Sequence, residues 1–168
     1  MKFSALREKK IKTAFDVMKA ALSLWQNDPE VDKRLISRIF YDQSFKIASG
    51  YISHSAMTPG IKTTEDHCFS PCFLGYVVMD MPEIFLTDKN IFRNFSIFGA
   101  TTITVTPNEN NRLRDQSYKG SLKLTCSMKD KYTVEGIQLY EKGVGYVEGD
   151  FPLEVWPEVL EYEKQYLV

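Results

Sequence analysis

An α+β domain is the fold class this sequence predicts, and three patterns point to it. In the first quarter of the chain, apolar residues recur at three- and four-residue steps. A β-branched run at 101–106 opens directly onto a helix cap, and 121–128 alternates apolar with polar residues at the period of a strand. Together they predict an N-terminal helical pair, central helices and a small, mainly antiparallel sheet in the C-terminal half. The 168 residues, 43% apolar and 13% aromatic, are enough for a single packed domain spanning 1–168.

The first helix is expected to bury Ile11, Ala14, Phe15, Met18, Ala21, Leu22 and Trp25 on one face. Asn27-Asp28-Pro29-Glu30 supplies a break, a capping side chain and a first-turn proline. The second helix follows with Val31, Leu35, Ile36, Ile39, Phe40 and Ile47 inward. The outer faces of the pair carry Arg7, Lys9, Lys10, Lys12, Lys19, Lys33, Arg34 and Arg38, read as a solvated surface with phosphate contact as the alternative.

Gly50 and Thr58-Pro59-Gly60 read as turns, and Thr63-Thr64 as a brief extension. Ser70-Pro71 predicts a helix start, with Phe73, Leu74, Val77, Val78 and Met81 as its stripe and Pro82 as its end. Thr87 is expected to cap a further helix with Ile91, Phe92, Phe95 and Phe98 inward, closed by Gly99. Thr101–Thr106 predicts a strand running into the capping box Thr106-Pro107-Asn108-Glu109. Leu122, Leu124, Cys126 and Met128 predict a half-buried strand, with a turn at Lys129–Lys131. Tyr132 and Val134 would return as the next strand, bulged at Gly136, so that Ile137 and Leu139 point inward. Gly143, Gly145 and Gly149 mark a loose connection, and the tail from Pro157 is a closing helix.

Charge is balanced, 21 Lys and Arg against 22 Asp and Glu, which disfavours a protein that coats nucleic acid electrostatically. Three cysteines do not make a disulfide framework, and an odd count leaves one thiol free. No signal-like run and no membrane-spanning stretch is present in the sequence, so a cytoplasmic protein without membrane contact is expected.

The chemistry-bearing residues concentrate in His54–Cys72, which holds both histidines and two of the cysteines. His54, His67, Cys68 and Cys72 have the ligand types of structural zinc, although His67 and Cys68 are adjacent. Cysteine catalysis from Cys68 or Cys72 at a helix start is another reading of the same stretch.

TTEDHCFSP, together with the strand-to-helix text TVTPNENNRL, resembles the HNH-like (His-metal finger) site of small phage-encoded proteins. That resemblance implies metal-dependent phosphodiester hydrolysis with Mg²⁺ or Mn²⁺. It would make His67 the general base and Asp66 and Asn110 metal ligands, with Asn108 and Asn111 behind Asn110. Arg112 or Arg114 would clamp a phosphate. The chain departs from the usual site by placing two expected helices between its halves, where that site has a compact ββα unit. The alternative function is a non-enzymatic phage or mobile-element protein that binds a host protein or nucleic acid through its basic helices or its aromatic residues.

Overall fold

The structure is a computed structural model that describes residues 4–28, 30–118, 130–149 and 152–165, without the side chains of 115–118. The fold is α+β and divides into two compact units. One comprises 1–45 and 70–100, the other 46–69 and 101–168.

The first unit is helical. Helix α1 (Ala5–Asn27) starts at Ser4, whose hydroxyl accepts from the Arg7 amide, and buries Ile11, Ala14, Phe15 and Met18 as their spacing predicts. Helix α2 (Lys33–Gln43) is shorter than expected at both ends. Its cap is Asp32, while Asp28 closes a local turn by accepting from the Glu30 amide; Pro29 lies outside the described residues. Ile36 and Phe40 point inward as predicted, but Leu35 is exposed.

Helix α3 (Pro71–Asp80) begins at the predicted proline, and Pro82 opens the short α4 (Pro82–Phe85). Helix α5 (Lys89–Gly99) is capped by Asp88 rather than Thr87. The Thr87 hydroxyl instead donates to the Glu83 carbonyl. Gly99 remains in the helix, so its role is not a left-handed stop. A Cβ there would sit 2.6 Å from Leu74 Cδ1, and one on Gly75 would sit 2.3 Å from the Ser37 carbonyl oxygen. Two glycines therefore set how closely α2, α3 and α5 approach.

Phenylalanines fill the space between these helices. Phe92 meets Phe15 and Phe40 edge-on at 5.4 and 5.9 Å, and Phe85 lies 4.2 Å from Phe95. Arg93 on α5 grips the Glu8 carboxylate of α1 through Nε and Nη2, and these hydrogen bonds hold Glu8 below its ordinary range. Lys33, expected on the solvated face, is instead half-buried. Its ammonium pairs with Asp80 and lies over the rings of Trp25 and Tyr76.

The second unit is built on a five-stranded sheet of order β2-β3-β1-β4-β5. Its strands are β1 (Ile47–Ser53), β2 (Thr64–His67), β3 (Thr101–Val105), β4 (Leu139–Glu141) and β5 (Gly145–Val147). It is mainly antiparallel, as expected, with one parallel pairing between β1 and β3. Ile47, expected inside the second helix, starts β1, and Gly50 lies within that strand with φ +94° where its register against β3 shifts.

Helix α6 (Pro107–Tyr118) follows β3 as predicted. Tyr132 and Val134, expected in a strand, instead belong to a helical turn, α7 (Lys131–Val134). Gly136 adopts φ +65° after it, and the amides of Gly136 and Ile137 close back on Thr133 and Tyr132. This is a left-handed helix stop rather than a bulge. Of the glycines expected to mark a loose connection, Gly143, with φ +84°, lies in the turn of the β4–β5 hairpin, Gly145 opens β5 opposite Glu141, and Gly149 follows that strand. Helix α8 (Pro157–Lys164) buries Val159 and Tyr162. The strand expected at 122–128 lies outside the described residues. No helix among the described residues is long and apolar enough to cross a membrane.

Candidate functional site

Successive residues of a strand face opposite sides of the sheet, and the pairing of β2 with β3 places each candidate accordingly. Asp66 pairs with Ile103 and His67 with Thr102. The Asp66 face is the inner one, where Ile103, Val105 and Leu139 are fully buried and α6 and α7 lie. His67 shares the other face with Glu65, Thr102 and Thr104. Asp66 and His67 are thus adjacent in the chain and on opposite sides of the sheet.

On the inner face the Asp66 carboxylate is engaged by protein donors. Its Oδ2 accepts from Lys131 Nζ at 2.7 Å and from the Tyr132 hydroxyl at 2.5 Å. Lys131 Nζ also donates to the His67 carbonyl at 2.5 Å, so one ammonium ties α7 to two consecutive residues of β2. The Lys131 and Asp66 side chains are 15% and 16% exposed, and Tyr132 is completely buried.

The capping box supplies a second buried carboxylate. Glu109 Oε2 accepts from the Thr106 amide at 2.8 Å and the Thr106 hydroxyl at 3.0 Å, while the Thr106 hydroxyl in turn accepts from the Glu109 amide. The same oxygen accepts from Ser53 Oγ at 2.6 Å, which joins the end of β1 to the start of α6. Burial pushes the Glu109 carboxyl up, but the donors of Ser53, Thr106 and Ser55 outweigh it and leave the group below its ordinary value. On the outer face Glu65 is likewise engaged, accepting from Thr102 and Thr104 at 2.7 and 2.8 Å.

Of the other residues singled out from the sequence, Asn110 is half-buried on the first turns of α6, with Asn108 and Asn111 exposed. Arg112 donates to the Glu135 carbonyl at 3.1 Å, at the end of α7, and Arg114 is exposed. Cys68 is buried and Cys72 half-buried. Cys72 Sγ lies 3.6 Å from the buried Ser37 hydroxyl within the helical unit, whereas His54, His67 and Cys68 belong to the sheet unit. Among the described residues no group of three or more His, Cys, Asp or Glu side chains is placed to hold a metal ion.

No known protein family, curated protein or solved structure matches this chain.

Lys131 and Tyr132 are the partners of Asp66 that sequence reading missed, because a Lys-Asp-Lys turn before a β-favouring Tyr and Val hid a helical turn. A second group it missed lies on the outer face. Ile52, Tyr140 and Tyr146 are cross-strand neighbours on β1, β4 and β5. His54, which follows β1, sets its ring 5.4 Å from Tyr140, and Tyr146 lies 5.5 Å from Tyr140 on the other side. His54 is exposed and Tyr146 is 58% exposed, so the row ends in open rings.

Proposed function

We propose that this chain is a non-enzymatic nucleic-acid-binding protein in which Asp66 has a structural role. The observation that carries this reading is the double engagement of Asp66 by Lys131 and Tyr132. Mg²⁺ and Mn²⁺ need carboxylate oxygens and water around them in near-octahedral geometry. Here the cation beside Asp66 is the ammonium of Lys131, and a divalent ion at the same oxygen would have to displace it against direct repulsion. A general base acting on a metal-held water must also stand on the same side as the metal ligand, whereas His67 leaves β2 on the opposite face. Glu65 on β2 and Glu109 on the first turn of α6 are engaged by hydroxyl and amide donors. Nucleic acid as the partner class is supported by the open rings at the end of the outer row.

The test is a pair of assays on the same preparation. Plasmid DNA and structured RNA are incubated with Mg²⁺, with Mn²⁺ and with EDTA, using wild type and His67→Ala. Retention of the same nucleic acids is then measured by gel shift in EDTA. The expected result is binding without metal-dependent cleavage. Metal-dependent cutting that disappears in His67→Ala would overturn the proposal in favour of the His-metal finger reading, and failure to retain any nucleic acid would overturn the partner class.

A further inference from the structure

We infer that Trp25, Tyr76 and Asp80 form a binding site for a methylated ammonium group, and that Lys33 fills this site as an internal stand-in. All four residues belong to the helical unit, so the site is independent of the nucleic-acid reading above. The Lys33 ammonium lies 5.2 Å from the Trp25 ring centroid and 5.5 Å from that of Tyr76, and it pairs with the Asp80 carboxylate. Two rings and one carboxylate from α1 and α3 thus converge on a single cation supplied by α2. Both rings fall within the about 6 Å over which an aromatic face attracts a cation.

The walls have supports of their own. Tyr76 and Asp80 stand one turn apart on α3 and so share a face of that helix. Tyr76 also hydrogen-bonds the completely buried Ser37 side chain, which holds its ring in place. Asp80 ends α3, whose last turn carries no basic side chain, so the negative end of the helix adds to the pull on a cation. Lys33, by contrast, is the first residue of α2, at the positive end of its own helix, where a cation is disfavoured. The place of its ammonium therefore follows from the cage and not from α2.

The chemistry of the walls selects the ligand class. Aromatic faces and a carboxylate both favour positive charge, which turns away phosphates and carboxylates. A primary ammonium is strongly hydrated and brings three N–H donors, which ring faces satisfy poorly. A methylated ammonium keeps the charge with fewer donors to leave unpaired, so two rings suit it better. The Lys33 and Asp80 side chains are 26% and 27% exposed, so the site opens to solvent and the flexible lysine stem can swing out. A ligand taking its place meets Asp80 as counter-ion.

The experiment is calorimetric titration of the full chain with three probes. These are choline, its uncharged analogue with carbon in place of the quaternary nitrogen, and a glycine-flanked trimethyllysine peptide. Wild type is compared with Lys33→Ala, with Lys33→Gln, and with Lys33→Ala combined with Trp25→Ala or Asp80→Asn, each checked for folding by a circular-dichroism melt. Removing the internal occupant is expected to strengthen choline binding by about ten-fold or more, because wild type binds only through the fraction in which Lys33 has left. Loss of the Trp25 ring is expected to weaken it again by about 2- to 30-fold. Equal affinity for choline and the peptide would mark a free small cation as the source, and a much tighter peptide would mark a modified lysine of a protein chain. Folded Lys33→Ala that binds neither cation would overturn the site. Equal binding of the uncharged analogue, or choline binding untouched by Trp25→Ala and Asp80→Asn, would overturn the assigned walls. Equal affinity of wild type and Lys33→Ala would overturn the role of Lys33. Wild type also provides a check that needs no variant: excess choline is expected to shift the Trp25 indole and Lys33 side-chain signals in NMR spectra, and unmoved signals would overturn the site.

Discussion

Replacing Glu109 with alanine tests the junction on which the sheet unit is assembled. The side chain is 4% exposed, and its Oε2 collects three donors, from Ser53 Oγ, the Thr106 amide and the Thr106 hydroxyl. Hydroxyls rotate to find other acceptors, but the Thr106 amide is fixed by the turn into α6 and would be left without this acceptor. Loss of a charge-assisted bond costs roughly 1.5–3 kcal/mol, and loss of a capping residue about 1 kcal/mol. These overlap in the same atoms, so Glu109→Ala is expected to destabilise by about 2–4 kcal/mol in urea unfolding followed by circular dichroism. Glu109→Gln keeps an acceptor oxygen and loses only the charge, for about 1 kcal/mol.

The pH dependence gives an independent check. Glu109 titrates below its ordinary value of 4.5 in the folded chain, so the folded state holds the ionised form more tightly than the unfolded one does. Its contribution is complete above the unfolded value and fades as pH falls through the lowered folded value. The gap between wild type and Glu109→Gln should therefore be constant near neutrality and narrow only in acid. A Glu109→Ala penalty under about 0.5 kcal/mol, or a gap to Glu109→Gln that widens in acid, would show that the ionised Glu109 carboxylate does not hold this junction.

Four further outcomes follow from the same structure. Asp66→Asn should cost about 2–3 kcal/mol of stability, because Lys131 loses its counter-ion in a site where both side chains are mostly buried; Tyr132→Phe should cost about 1 kcal/mol. Equal melting temperatures for Asp66→Asn and wild type would remove the structural role proposed for that carboxylate. Gly75→Ala should destabilise by about 3 kcal/mol, since its new Cβ would meet the rigid Ser37 backbone. Gly99→Ala should cost no more than about 1 kcal/mol, because it meets the movable end of Leu74 and gains helix propensity, and reversal of that order would show that α2 and α3 can separate freely.

Much of the helical unit, and the start of α6 in the sheet unit, is legible in the sequence because the signals there are local and redundant. Ile11, Phe15 and Met18 repeat at the helical period, Pro71 fits only a first turn, and Thr106 with Glu109 forms a box whose two halves identify each other. The misread elements are those in which a local preference yields to pairing elsewhere. Ile47–Ser53 contains Ser, Gly and Ala and has little strand preference of its own; it becomes a strand because β3 and β4 pair on its two sides. Lys131–Val134 has β-favouring residues, yet it forms a helical turn stopped by Gly136, with Tyr132 carried onto the inner face and its hydroxyl bound to Asp66. Neither outcome is written in the segment itself.

The candidate site shows the same division between what adjacency suggests and what the strand period allows. Asp66 and His67 attract notice together because a carboxylate and an imidazole stand side by side in the chain. In a helix or loop such neighbours can converge on one ligand, but a paired strand with period two sends them apart. Asp66 then meets whatever covers the inner face, which is Lys131 and Tyr132, residues more than sixty positions later. The rings of the outer row are assembled in the same way, from positions 54, 140 and 146. Pairing of β1 with β4 and of β4 with β5 is what makes them neighbours, so a motif search along the chain has no short stretch in which to find them.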